Sequence, residues 1–425
     1  EIEFKGESGY MAAKNETQAC YEATEKARKE EQDSILHKIR DFFILTYFTV
    51  LMGNLWGQYR QVMERGRLIR IGQVWWYGGA QRFAEDLKYN DPDFIWEDGD
   101  FKGLDRTMNR VLLVLYLTSA SIYYAWDKMK IEDARLLKAV LRYLVNSISV
   151  KIVNVYGRVW KLMYGVMPSG IYETSHGDSW CVAFLFFLYV RYVIATNHKA
   201  SRLVSQALKR GYIIIVVYGD DHLLGIHKSV HPYVNEAGFV QFVNKYFGMT
   251  IRDARTIRRF TSTLAHDGTL SYKGAVFLKR YFVEVKETGL PSILPARPIE
   301  NIIINYAYGK SASRQALVDY ALAIIGQAYD CGYNIVAYRF CEYVWKKLRD
   351  DYKINFDMES LIKEKLEARG DNDIKKLIAR SGMTIDELKH GFPTWERCLA
   401  MHRDNPEKSD FDRGKLSRFM TMVHE

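Results

Sequence analysis

The run Tyr212-Ile213-Ile214-Ile215-Val216-Val217-Tyr218 is β-branched, uninterrupted and free of charge, the pattern of a central strand buried on both faces. It ends in Gly219-Asp220-Asp221, and Leu223-Leu224-Gly225 follows closely. Adjacent carboxylates at a strand tip repel each other and lose hydration unless a cation sits between them, and the glycine permits the tight turn that presents them. Magnesium is the simplest such cation, because hard cations take oxygen ligands. Taken alone, an acidic turn after a strand is more often a surface hairpin, so the rest of the chain decides between the two.

A second short buried strand is expected at Phe94-Ile95-Trp96, and it runs into Glu97, Asp98, Asp100 and Asp105. Two metal ions held ~3.5 to 4 Å apart, able to activate an attacking hydroxyl and neutralise a leaving phosphate, need carboxylates from more than one strand. His222, His227 and His231 follow the acids, but no helix seam gathers them, and isolated histidines are a commoner reading than a zinc site.

The chain has 425 residues, 48% hydrophobic and 26% charged, with 14% aromatic. That balance excludes disorder as the main state, and the length predicts two or three lobes. Sixty Lys and Arg against 51 Asp and Glu give a net charge of +9, which favours a polyanionic partner, either nucleic acid or an anionic membrane. The uncharged segment 42–59 is diluted by Thr46, Thr49, Gly53, Asn54 and Gln58 and falls short of the ~20 mainly apolar residues of a membrane span. Residues 111–126 are shorter still, and the apolar run Trp180 to Val190 reads as a core helix. No transmembrane segment is expected. Cys20, Cys181, Cys331, Cys341 and Cys398 form an odd set without a CxxC pair, read as reduced thiols of an intracellular protein. Glu1 is followed by no basic and apolar leader, so the chain reads as a piece of something longer. Residues 21–40 and 109–160 have helical spacing. From about residue 300 the composition is helical and charged, with a capping box at Thr384-Ile385-Asp386-Glu387.

The ordered set Asp100-x4-Asp105, Met167-Pro168-Ser169-Gly170-x3-Thr174, Tyr218-Gly219-Asp220-Asp221 and Phe277-Leu278-Lys279-Arg280 resembles motifs A, B, C and E of viral RNA-dependent RNA polymerases of the picornavirus-like and partitivirus-like branches. Each motif is weak or moderate alone; four in the right order are specific. Glu7-Ser8-Gly9-Tyr10 looks like motif G at the mouth of the template channel, and Arg65-Gly66-Arg67-Leu68-Ile69 looks like motif F of the nucleotide channel.

The resemblance implies an α+β fold, a right-hand polymerase with an antiparallel palm sheet and mostly helical fingers and thumb. Its expected layout is partial fingers over 1–90, palm over 91–108, a fingers insertion over 109–160, palm over 161–290 and a helical thumb over 291–425. It implies that Asp100 and Asp220, assisted by Asp221, hold two Mg²⁺ ions, for which Mn²⁺ substitutes. Asp105 would meet the ribose 2′-hydroxyl, with Thr174 supporting it. Ser169 and Gly170 would contact template and nascent base pair, and Ser8 and Gly9 the RNA. Arg65 and Arg67 would clasp the triphosphate, as a guanidinium fork suits phosphate. Lys279 and Arg280 would grip the primer strand. The implied reaction is attack of a 3′-hydroxyl on the α-phosphate of an NTP with loss of pyrophosphate. RNA template and product, NTPs and other viral replication or capsid proteins are the implied partners. The implied place of work is the host cytoplasm, in a replication complex or in the virion.

Three departures stand out. Asp178 occupies a position where the picornavirus pattern has Asn, so one acid must keep its proton or ribose selection is rearranged; an Asp here is similar to partitivirus-like polymerases. The segment Phe247 to Arg255, resembling motif D, offers Arg252 and Arg255 where a Lys usually donates a proton to pyrophosphate, and arginine is a poor acid. About a hundred residues that such polymerases carry before motif G are missing. A reverse transcriptase, or a non-catalytic basic RNA-binding replication protein, is the alternative reading.

Overall fold

The computed structural model describes residues 68–119, 121, 126–149, 151–155, 158–162, 167, 174–307, 323–351 and 392–404. Ser8, Gly9, Arg65, Arg67, Ser169, Gly170, the segments 21–40 and 42–59 and the capping box at Thr384 lie outside these residues. The described elements are α1 (Gly79–Asp86), β1 (Phe94–Phe101), α2 (Leu104–Thr107), α3 (Arg110–Ser119), α4 (Ile131–Ser149), the hairpin β2 (Lys151–Val155) and β3 (Arg158–Leu162), α5 (Thr174–Thr196), α6 (His198–Arg210), β4 (Ile213–Tyr218), β5 (Asp221–His227), α7 (Glu236–Phe247) and β6 (Ile251–Ile257). They continue with β7 (Thr263–Leu264), β8 (Leu270–Tyr272), β9 (Val276–Phe277), β10 (Arg280–Glu284), β11 (Ile293–Ala296), α8 (Ile299–Ala307), α9 (Ile335–Asp351) and α10 (Trp395–Ala400). One compact unit takes the described residues within Glu1–Ile71, Gly99–Leu224 and Ser229–Arg255. A second takes those within Gly72–Asp98, Gly225–Lys228 and Thr256–Glu425.

The central sheet has the order β4-β5-β1-β6. β4 stands at the end of that order and not at its centre as expected, yet, as its composition demanded, it is buried at the consecutive residues Ile215, Val216 and Val217, hence on both faces. Its far edge is closed by a parallel bridge to Ile69, in which the Arg70 N–H donates to Val217 O at 2.8 Å and the Val217 N–H to Leu68 O at 2.9 Å. Leu68 and Ile69, the end of the motif F resemblance, therefore lie along the strand that carries the acidic turn.

Behind β4 lies α5, with Cys181, Val182, Leu185, Phe186 and Val190 fully buried. It is long and apolar enough to cross a membrane by length and composition, yet half of its most apolar stretch is buried inside the protein, which makes it a core helix. Its junctions follow local rules. Asn197 caps α6 by accepting from Ala200 N at 3.1 Å, and left-handed Gly211 ends it; Asn235 and Gly248 do the same for α7. Phe186, Tyr189 and Phe242 join Phe239 in an aromatic layer, the Phe186 and Phe239 rings meeting edge to face at 5.4 Å.

The second unit has its own core. Trp75, Phe83, Phe277 and Phe282 pack ring on ring, and Trp96 meets Phe260. The sheet β11-β10-β9 is antiparallel. Its described residues from Ile299 on include the helices α8, α9 and α10, as composition predicts, and bury Cys331, Cys341 and Cys398 with Tyr77, Tyr338 and Met401. These three cysteines and Cys181 are free thiols.

Candidate active site

The acidic positions converge at one end of the central sheet. Asp100 is the penultimate residue of β1 and Asp221 opens β5, its neighbour; the Phe101 N–H donates to the backbone oxygen of Asp220 at 3.4 Å. Two motifs that are 120 positions apart in the chain thus share a hydrogen bond. Gly219 sits at φ +61°, where a Cβ would be strained. Its N–H donates to Ser179 Oγ at 2.8 Å, and Ser179 in turn donates to the Ser175 carbonyl at 2.5 Å. Helix α5 therefore holds the turn by a side chain.

On the opposite side of the same strands lies a buried polar joint. His222 Nε2 is 2.9 Å from Glu236 Oε1, with both side chains almost wholly buried, and the imidazole lies against Phe101 and Phe239. A Cβ added to Gly99 would stand 2.6 Å from Glu236 Oε1 and 2.8 Å from Ile251 Cγ2. Because strand residues alternate between faces, Gly99, His222 and Ile251 turn inward where Asp100, Asp221 and Arg252, one residue away on the same three strands, do not. Glu236 is the first residue of α7, where the helix dipole favours a carboxylate.

Asp105 is the second residue of the single-turn helix α2, which starts after left-handed Gly103, and its carbonyl accepts from Met167 N at 2.7 Å. The motif A and motif B resemblances are joined there. Asp178, four residues into α5 after Thr174, is buried, and its Oδ1 has no hydrogen-bond partner. Burial first, then the charges of Asp105 and Asp220, push its carboxyl well above the ordinary carboxylate range. The shift favours the neutral acid, the first of the two ways in which the departure at Asp178 can be met. Burial followed by Asp100 also raises Asp220, which its own backbone hydrogen bond and Arg252 partly offset. Asp178 is a further cause of the upward shift at buried Cys181.

Arg252, on β6, reaches Asp100. Its Nε and Nη2 both lie 2.5 Å from Asp100 Oδ2, and that hydrogen bond raises the guanidinium above its already high value. It is a charge partner, not a proton donor near neutral pH. Arg255 lies half-buried on the same strand. Among the described residues no three His, Cys, Asp or Glu side chains are gathered to hold a metal ion. The donors nevertheless suit a hard divalent cation. They are carboxylates from adjoining strands, where burial and then the charge of Asp100 raise Asp220, and a guanidinium already occupies one oxygen of Asp100. Of the three histidines weighed for zinc, His222 pairs with Glu236 and His227 meets Phe94 edge to face.

Phe277-Leu278-Lys279-Arg280 belongs to the second unit, as a hairpin pairing Phe277 with Arg280. Leu278 and Lys279 form its two-residue loop at φ 52° and 60°, the twist of a type I′ turn without the usual Asn-Gly. Lys279 is exposed. Arg280 is bound to Asp330, which also takes Arg297 Nη1 at 2.7 Å. Ser179 and Glu236 escaped the sequence reading. Ser179 is the residue after Asp178 and one helical turn from Ser175, a weak signal; Glu236 is one more acid at a helix start.

A family model described as viral RNA-dependent RNA polymerase matches residues 16–338, more than half of the chain. The crystal structure of the RNA-dependent RNA polymerase of a human picorbirnavirus superposes with a TM-score of 0.51 at 12% identity, covering 76% of this chain and 54% of that one. An insertion-loop deletion mutant of a human picorbirnavirus polymerase gives 0.45 at 12% identity, covering 70% and 53%. At that identity the first likeness is one of fold. The chain spans about half the length of these polymerases. No curated protein matches it.

Proposed function

This chain belongs to the viral RNA-dependent RNA polymerase family, and on that premise we propose that it synthesises RNA on an RNA template from NTPs, releasing pyrophosphate, in viral genome replication and transcription. The observation that carries this reading is the meeting of Asp100 and the Asp220-Asp221 turn at one sheet end, with Asp105 and Asp178 close enough to perturb it. Asp100 and Asp220, with Asp221, would hold two Mg²⁺ ions. When bound, these ions supply charge for the leaving pyrophosphate and acidify the attacking 3′-hydroxyl.

The chain's own groups then divide the rest of the work. Asp178, kept neutral, offers its O–H to a ribose hydroxyl beside Asp105 and Thr174, a donor that an ionised carboxylate lacks. Ser179 holds the Gly219 N–H so that the acidic turn is set before substrate arrives. Arg65 and Arg67 bind the triphosphate, Ser169 and Gly170 follow the nascent pair, Ser8 and Gly9 contact RNA, and Lys279 and Arg280 serve the primer hairpin. In this reading residues 1–90 and 109–160 contribute fingers, 91–108 and 161–290 palm, and 291–425 thumb. The work takes place in the host cytoplasm, in a replication complex or in the virion, beside other viral replication or capsid proteins.

Incorporation of labelled rNTPs on a defined RNA template tests it. Asp220→Ala is expected to lower incorporation by about 10³-fold or more, with RNA binding retained. Unchanged incorporation would sink the catalytic assignment, and preference for dNTPs would move the chain to reverse transcription.

A further inference from the structure

We propose that Arg252 is the resident counter-ion of Asp100, a guanidinium that a divalent cation must displace before Asp100 can serve as a metal ligand. The inference rests on the polymerase reading in one respect only, that Asp100 binds metal.

The geometry is specific. Nε and Nη2 of Arg252 both converge on the single oxygen Oδ2 of Asp100, each at 2.5 Å. Such charge-assisted contacts monopolise the oxygen's lone pairs, and a metal needs the same lone pairs. The two residues stand on β1 and β6, neighbours in the sheet, whose ends are tied by the Lys102 N–H donating to Thr250 O at 2.9 Å. The approach is therefore built into the sheet. Straight after Arg252, Asp253 turns left-handed at φ 57°, a local irregularity of the strand beside the pair.

The pair is also exchangeable. The Arg252 side chain is 56% exposed and that of Asp100 25%, so the guanidinium can leave into water without an uncompensated buried charge. When it leaves, Asp100 faces Asp220 without a counter-charge, a repulsion that an arriving cation relieves. Arrival of the metal and departure of the arginine are one exchange, which replaces one positive charge by two beside the Asp100 and Asp220 carboxylates. The freed guanidinium is then available to phosphate oxygens, for which its fork is suited.

The experiment measures Mn²⁺ binding to the nucleotide-free, RNA-free protein by loss of the free-ion electron paramagnetic resonance signal. Arg252→Gln is expected to bind Mn²⁺ about two- to fivefold more tightly than the parent, the gain that removing an exposed ion pair allows. Arg252→Lys, which keeps the charge and loses the fork, is expected to fall between them. Arg258→Gln removes the same charge from the exposed residue just after β6 and is expected to change affinity less than half as much. Equal affinity of the parent and Arg252→Gln would overturn the proposal, as would equal tightening in Arg252→Gln and Arg258→Gln, or no Mn²⁺ binding by any variant. Loss of incorporation in Asp220→Ala together with equal Mn²⁺ affinities would overturn this inference and leave the polymerase reading standing. Thermal melting of each variant verifies that it is folded.

Discussion

Asp330 and Asp100 are both held by arginines, and they are held for different ends. Asp330 in the second unit takes Arg280 and Arg297, on side chains only 20% and 11% exposed. Asp100 in the first takes Arg252, on a side chain more than half exposed, and faces the carboxylate of Asp220. The first arrangement is saturated: both carboxylate oxygens have partners, and both arginines are largely shielded from water. The second is under-filled, with one oxygen occupied and a neighbouring carboxylate that still asks for positive charge. The same two residue types make a structural clasp in one unit and an exchangeable site in the other, and burial decides which.

Three measurements press on that contrast. Near the saturated clasp lies His402, buried beside the Trp75 backbone and Asp330, and burial lowers its pKa to about 4. Its ordinary value is 6.5, so the unfolded chain binds a proton that the folded one refuses in between. Stability is full above pH 6.5 and falls as the pH drops toward 4, by about 3 kcal/mol at most. Urea unfolding at pH 7.5 and pH 5 is expected to show most of this loss, and His402→Phe to flatten it; an unchanged slope in that variant would remove His402 as the cause. Asp330→Ala is expected to cost about 2 kcal/mol, since it strands two half-buried guanidinium groups. A shift of the urea midpoint checks it, and no shift would mean that the clasp is as dispensable as a surface pair. Smallest of all is the expected effect of Asp178→Asn. Neutral Asp178 and an amide are near-isosteres, so incorporation is expected to stay within about threefold of the parent, roughly 0.7 kcal/mol. A loss of a hundredfold would show that Asp178 works ionised.

Much of the fold and part of the site were legible in the chain. The double-faced burial of β4 followed from a run of seven β-branched and aromatic residues, and the core helix α5 from its Phe and Leu content. Asp100, Asp105, Asp220 and Asp221 were found because acids next to buried strands are improbable without a use. Asp178 was visible as an anomaly, but its protonation was not, since that depends on burial and on acids 73 and 42 positions away. Ser179, Glu236 and the Arg252 contact were beyond reach for a similar reason. Each is an ordinary residue locally and becomes informative only through a partner that the sheet or helix brings to it.

By itself the sequence determined which residues could carry charge at a strand tip and in what order, because period, β-branching and adjacent acids act over a few residues along the chain. The tertiary structure alone decided how those charges are balanced. It set Arg252 rather than another cation on Asp100, kept Asp178 neutral, closed Asp330 with two arginines, and seated Glu236 under the acidic turn. Coulomb and desolvation energies depend on distance through space and on access to water, and neither is written in sequence spacing.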